Sequence, residues 1–223
     1  MGIDVRENLF AGMRFGFEKC RNGAYGSTYS LKMLSIEQMV YRYVSAIVNG
    51  SEYIPYIFIS TVIEDSLFPW KRKHLLVLDC DSEDGMVAAC HWLRTEENIK
   101  YELIESTPGK FWVVTDFIGT WKHVWRVFDQ IPGVCEEFRN KYAKKYKRIC
   151  VRAFPKLING KPCAPIFPAD IALKSFMAKQ WMMGVRLYFD SGYFKKLCKA
   201  VLLVDKLDKN AMEQLAANPG FMV

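Results

Sequence analysis

The chain has no Cys-x-x-Cys pair, no His-x-x-x-His pair and no apolar run near the roughly 20 residues of a membrane span. Its seven cysteines are odd in number and scattered, which points to free thiols in a reducing compartment rather than a disulfide framework or a structural zinc site. Residues Met1 to Asn8 hold no apolar signal core. The expectation is therefore a protein that is not secreted: cytoplasmic, or in the host-cell interior if viral. There is no Gly-x-x-x-x-Gly-Lys-Ser/Thr loop and no Gly-x-Ser-x-Gly elbow, which excludes P-loop ATPases and the commonest serine hydrolases. Internal repeats, low-complexity stretches and Pro/Gly/Ser linkers are also missing, so the 223 residues read as one domain. What is present is a globular composition, 51% hydrophobic and 25% charged.

Acidic residues are absent from one stretch in particular. Between Arg139 and Lys156 stand eight basic residues (Arg139, Lys141, Lys144, Lys145, Lys147, Arg148, Arg152 and Lys156) and no carboxylate. The remainder of the chain carries 23 basic and 24 acidic side chains, so this stretch supplies the whole net charge of +7. Uncompensated Lys and Arg suit a phosphate backbone. The interleaved Phe138, Tyr142, Tyr146 and Ile149 have the spacing of a buried helical stripe, which is preferred for them over base stacking.

The pattern of elements is α+β. Ser35 with Gln38 forms a capping box for a helix over Ile36–Val48, with Gly50 as its stop. Strands are expected over Glu52–Thr61 and His74–Asp79, then a helix over about Met86–Asn98. Lys100–Ser106 and Phe111–Asp116 form a hairpin, because Pro108-Gly109 supplies the centre of a type II turn. A helix over Cys135–Lys147 leads into a strand over Arg148–Phe154. A helix after Pro168 carries Ile171, Phe176, Met177, Trp181 and Met182 and ends near Gly184. The C-terminal part reads as strand and helix, with a weak helix over Asn210–Asn218. Such an order favours a mixed or antiparallel sheet flanked by helices over a doubly wound fold.

The sharpest chemical signal is Leu75-Leu76-Val77-Leu78-Asp79-Cys80-Asp81. Strand alternation puts both carboxylates on one side, where they can hold Mg²⁺ or Mn²⁺ beside substrate phosphates. The competing reading is cap chemistry for the helix that follows. Cys90-His91 on a helix reads as core packing rather than as a metal site, and His74, His91 and His123 lie in different elements with no second pair of ligands at suitable spacing.

Further along come Glu105-Ser106-Thr107-Pro108-Gly109-Lys110-Phe111-Trp112 and Arg148-Ile149-Cys150-Val151-Arg152. An acidic strand end, a Ser-containing Gly turn and a basic strand, in that order, resemble the archaeo-eukaryotic primase superfamily of primase-polymerases. The resemblance covers about Leu75 to Lys156. It implies an RRM-like primase-polymerase core over about 50–156, with helical additions at both ends. It also implies a metal-dependent nucleotidyltransferase acting on DNA in the replication of a virus, plasmid or other mobile element. Asp79 and Asp81 match the family's catalytic metal ligands. Ser106, Lys110, Trp112, Arg148 and Arg152 fall where nucleotide phosphates are contacted. Arg139, Lys141, Lys144, Lys145, Lys147 and Lys156 would hold template or primer. Trp112 stands where the family has a His, and Cys135 where it has a third Asp; Asp116, Asp129, Glu136 and Glu137 are the candidate substitutes. Partners would be DNA and nucleoside triphosphates, with no membrane. Any unwinding would come from a separate helicase, since this chain has no helicase motif. The alternative keeps the fold as an inactive, nucleic-acid-binding initiator or accessory protein. A third possibility is a packaging or regulatory protein that shares only the basic patch.

Overall fold

Two four-stranded antiparallel sheets meet at a corner built around Thr61. The computed structural model describes residues 15–20, 29–30, 35–49, 53–63, 72–144 and 147–217. The first sheet has the order β2-β1-β3-β8, from Tyr29–Ser30, Phe15–Cys20, Tyr53–Ser60 and Cys150–Arg152. The second has the order β4-β5-β7-β6, from Val62–Ile63, Lys73–Cys80, Lys110–Gly119 and Tyr101–Thr107. All pairings are antiparallel. At the corner the Thr61 N–H donates to Ile149 O (3.0 Å) and Leu75 N–H donates to Thr61 O (3.0 Å). The chain thus leaves one sheet and enters the other at a single residue. The Thr61 hydroxyl adds a second bond to Ile149 O, and the Trp181 indole N–H donates to Ser60 O, so the buried corner is fully hydrogen-bonded.

The sequence explains the central strand. Leu75 to Leu78 in β5 are all buried, so this strand is covered on both faces and reads as a continuous apolar run rather than an alternation. Each such side chain contributes about 1.5–3 kcal/mol. One apolar cluster runs from Met39 through both sheets to Val201.

Helix α1 spans Ile36–Val48, and its capping box is formed by Ser35 and Gln38. Its expected stop, Gly50, lies outside the described residues. Helix α2 spans Glu83–Thr95, and α3, which the sequence reading missed, spans Trp121–Phe128. The helix expected over Cys135–Lys147 is shorter: it starts at Glu136 and winds as a π-helix over Phe138–Ala143. Lys145 and Tyr146 lie outside the described residues.

Three other expectations are corrected. The helix after Pro168 begins only at Phe176, because Ser175 caps it and the Asp116 carboxylate accepts from the N–H groups of Lys174 and Ser175 (both 2.8 Å). It continues past Gly184, which is buried, to Asp190; we label it α4. Its end comes at Ser191, whose hydroxyl donates to Tyr188 O and accepts from Phe194 N–H, closing α4 and opening α5 (Gly192–Asp205). The C-terminal part, expected as strand and helix, holds no strand among the described residues of 176–217: the apolar stretch Ala200–Val204 is helical, with Leu197, Val201 and Val204 buried at helical spacing. Helix α6 spans Lys209–Ala217. A hairpin of β9 (Lys156–Ile158) and β10 (Lys161–Cys163) was also missed. Its Asn159-Gly160 turn has φ of +51° and +70°, the backbone that a two-residue type I′ turn requires. Among the described residues no helix is long and apolar enough to cross a membrane.

Candidate active site

Where the two sheets adjoin, a pocket of about 110 Å³ is lined by Asp79 and Asp81 from the end of β5, and by Ser106, Lys110 and Trp112 from the β6–β7 hairpin. Phe138 of the π-helix, Cys150 and Arg152 of β8, and Lys156 of β9 complete it. Three stretches that are distant in sequence thus supply one wall each.

The helix-cap reading of Asp-x-Asp has no support in the geometry. Ser82 is the N-cap of α2, its hydroxyl accepting from Gly85 N–H at 3.1 Å, and both aspartates line the pocket instead. Asp79 is directly opposite Trp112 across the β5–β7 ladder, and the indole N–H donates to its carboxylate. Burial and the Asp81 charge push the Asp79 carboxyl up to about 6, against the pull of Arg152, Lys110 and that indole bond. Asp81 behaves oppositely. Burial raises it, but the Cys135 thiol, the Lys110 ammonium and Lys156 together hold it below its ordinary range. Lys110 Nζ sits 2.5 Å from Asp81 Oδ1, and its own pKa is raised by that bond.

The hairpin is built to place Lys110. Gly109 has φ of +71°, as the turn requires, and its N–H donates to Glu105 Oε1 (3.1 Å). The Ser106 hydroxyl donates to Lys110 O (3.2 Å), so Ser106 braces the turn from within the pocket wall. Trp112 is only 4% exposed and holds Asp79 rather than offering a face for stacking.

Cys135 does reach the acidic pair. Its N–H donates to Asp79 O (2.9 Å) and its thiol donates to Asp81; burial and that carboxylate push the thiol up to about 11. A glycine pair makes the approach possible. A Cβ on Gly133, at φ +73°, would lie 2.0 Å from Gly85 O, so the 131–135 loop packs backbone to backbone on the first turn of α2. Gly133→Ala should therefore cost about 2 kcal/mol or more and lower the melting temperature by about 4–8 °C. Gly160→Ala, with the same sign of φ but nothing within 4 Å of its Cβ, should cost about half as much. Equal losses in thermal melts of the two variants would show that the loop contact is not tight.

The substitute carboxylates are not at the site. Asp116 caps the approach to α4, and Asp129, Glu136 and Glu137 do not line the pocket. Among the described residues no three His, Cys, Asp or Glu side chains converge as a metal centre. Asp79 and Asp81 are the two carboxylates that could hold a divalent ion, completed by phosphate oxygens and water.

The basic residues divide into groups. Arg152 and Lys156 enter the pocket; Arg148 does not line it. Arg139 faces inward: its guanidinium donates to Asp129 O (3.2 Å) and to Ile131 O, and lies over the Phe128 ring. It is a brace for the loop that carries Cys135, not a surface cation. Lys144 and Lys147 are exposed, while the side chain of Lys141 is outside the description. Lys156, expected among the template or primer contacts, lines the pocket instead, from the first residue of β9. No family model, no curated protein and no solved structure matches this chain.

Proposed function

We propose that this protein is a primase-polymerase-like nucleotidyltransferase acting on DNA in the replication of a viral, plasmid or other mobile element, inside the cell. The observation that supports it is the meeting of Asp79 and Asp81, the Ser106–Trp112 hairpin, and Arg152 with Lys156 in one pocket. Sequence order alone does not require these stretches to touch. A primase-polymerase core does.

The pocket suits the polar part of a nucleotide. Whole-ligand sites run to about 300–1,000 Å³, whereas this one is about 110 Å³, so it takes phosphate and cation while base and sugar lie outside. Mg²⁺ or Mn²⁺ fits the donor set: two hard carboxylates, one of which already draws an ammonium to 2.5 Å. When bound, such ions would activate a primer 3′ hydroxyl and neutralise the triphosphate charge. Asp79 and Asp81 would hold the ions, Arg152 and Lys156 would orient the phosphates, and Lys144, Lys145 and Lys147 would hold the template or primer backbone. A separate helicase would supply unwinding.

A second reading, an inactive primase-like DNA-binding initiator or accessory protein, draws on Trp112, whose indole is committed to Asp79 rather than to a ligand. Extension of a labelled primer on a template, with Mg²⁺ or Mn²⁺, separates the two. Metal-dependent extension supports catalysis. DNA binding with no extension under either ion supports the inactive reading.

A further inference from the structure

Charge within the pocket is unbalanced. Lys110, Arg152 and Lys156 come from three different strands, against only Asp79 and Asp81. The crowding of cations is felt at Lys156, whose ammonium is lowered by burial and then by Arg152 and Lys110. Asp81 is already engaged on two sides, by Lys110 Nζ at 2.5 Å and by the Cys135 thiol. A divalent ion arriving alone would have to displace Lys110 and then sit among three positive groups. Two like unit charges 4 Å apart repel by about 4 kcal/mol at an effective dielectric of 20. A phosphate meets the opposite situation, with three donors and a small polar cavity of its own size.

Lys110 is also free to move. It is 42% exposed and its partner Asp81 is 46% exposed, so the pair is worth at most about 1 kcal/mol. Its four-carbon stem lets the ammonium swing from the carboxylate toward an oxyanion without disturbing the turn, which is held by backbone and by Ser106 and Glu105.

We propose that Lys110 couples the two ligands of the site: it is the counter-ion of Asp81 in the free protein, and an incoming phosphate draws it off, so that the divalent ion binds together with a phosphate-bearing ligand rather than ahead of it. This rests on the metal-holding role given to Asp79 and Asp81 above. Linkage makes the effect reciprocal, so metal also tightens phosphate.

The test is a Mn²⁺ titration followed by the electron paramagnetic resonance of the free ion, on the wild-type chain and on Lys110→Met, without nucleotide or nucleic acid. Both proteins are then titrated again in inorganic phosphate, against a protein-free control. Lys110→Met should bind Mn²⁺ alone about tenfold more tightly than wild type. Phosphate should tighten Mn²⁺ binding to the wild type and leave Lys110→Met almost unchanged. Equal or weaker Mn²⁺ binding by Lys110→Met overturns the coupling, and if the wild type still extends primers, the polymerase reading stands without it. Tighter binding by Lys110→Met with no primer extension by the wild type upholds the coupling and removes the polymerase reading. Absence of Mn²⁺ binding by both proteins, with and without phosphate, overturns both.

Discussion

Asp79→Asn should abolish metal-dependent primer extension and at the same time make the protein more stable at neutral pH. The loss of activity follows from the metal-holding role proposed for this carboxylate. A few kcal/mol of transition-state charge stabilisation, at a factor of ten per 1.36 kcal/mol, gives a fall of roughly a thousandfold or more. The gain in stability follows from burial. The folded-state carboxyl is pushed up to about 6, well above its ordinary value of 3.8. Between those two pH values the folded chain keeps a proton that the unfolded chain has released. Stability is therefore lost as pH rises through that window, and the full cost is present at pH 7. The shift sets a ceiling of about 3 kcal/mol. Asp79 opens onto the pocket and is only partly buried as a residue, so water screening reduces this to about 1 kcal/mol. Asparagine removes the ionisation and still accepts from the Trp112 indole. Calorimetry should show Asp79→Asn melting about 2–4 °C higher at pH 7.5, with the difference vanishing near pH 4. Asp81→Asn should lose activity without that gain, since its carboxyl is held down rather than pushed up. A variant that melts lower at pH 7.5 and keeps its activity would remove Asp79 from the site.

Reversing charges within the basic stretch should be equally decisive for DNA. Lys144, Lys145 and Lys147, changed together to Glu, should bring binding below detection at physiological salt. For the wild type, log affinity should fall with log salt at a slope of about −0.7 to −0.9 per neutralised phosphate, and the triple variant should lose about three such increments. Arg139 is the internal control. Its guanidinium is spent on the carbonyls of Asp129 and Ile131, so Arg139→Lys should lower the melting temperature and leave the salt slope unchanged. Filter binding over a salt series reads both. A triple variant that binds like the wild type would place the nucleic-acid surface elsewhere.

What was legible in the sequence was local chemistry. The capping box at Ser35, the Pro108-Gly109 turn, and the apolar run ending in Asp79 and Asp81 each depend on residues a few positions apart, and each forms as read. The candidate site could be listed for the same reason, since its residues cluster in three short stretches. What joins them was not legible. Arg152 shares a pocket with Asp79 because two sheets share the corner at Thr61, and that corner depends on a bond to Ile149, 88 positions away. Cys135 reaches Asp81 through a glycine contact that has no side-chain pattern at all. Arg139 was read as a surface cation because composition records charge but not direction. The strand expected in the C-terminal part gives way to α5, whose buried Leu197, Val201 and Val204 show their helical spacing only once the core they pack against is known.

The most direct measurement is the anomalous difference density of a crystal containing Mn²⁺ and a nucleoside triphosphate. It should show a peak between the carboxylates of Asp79 and Asp81, with the triphosphate against Arg152 and Lys156 and the Lys110 ammonium turned from Asp81 to a phosphate oxygen. A bound nucleotide away from this pocket, with no peak at Asp79 and Asp81 and Lys110 still on Asp81, would contradict the assignment of the pocket as a catalytic centre.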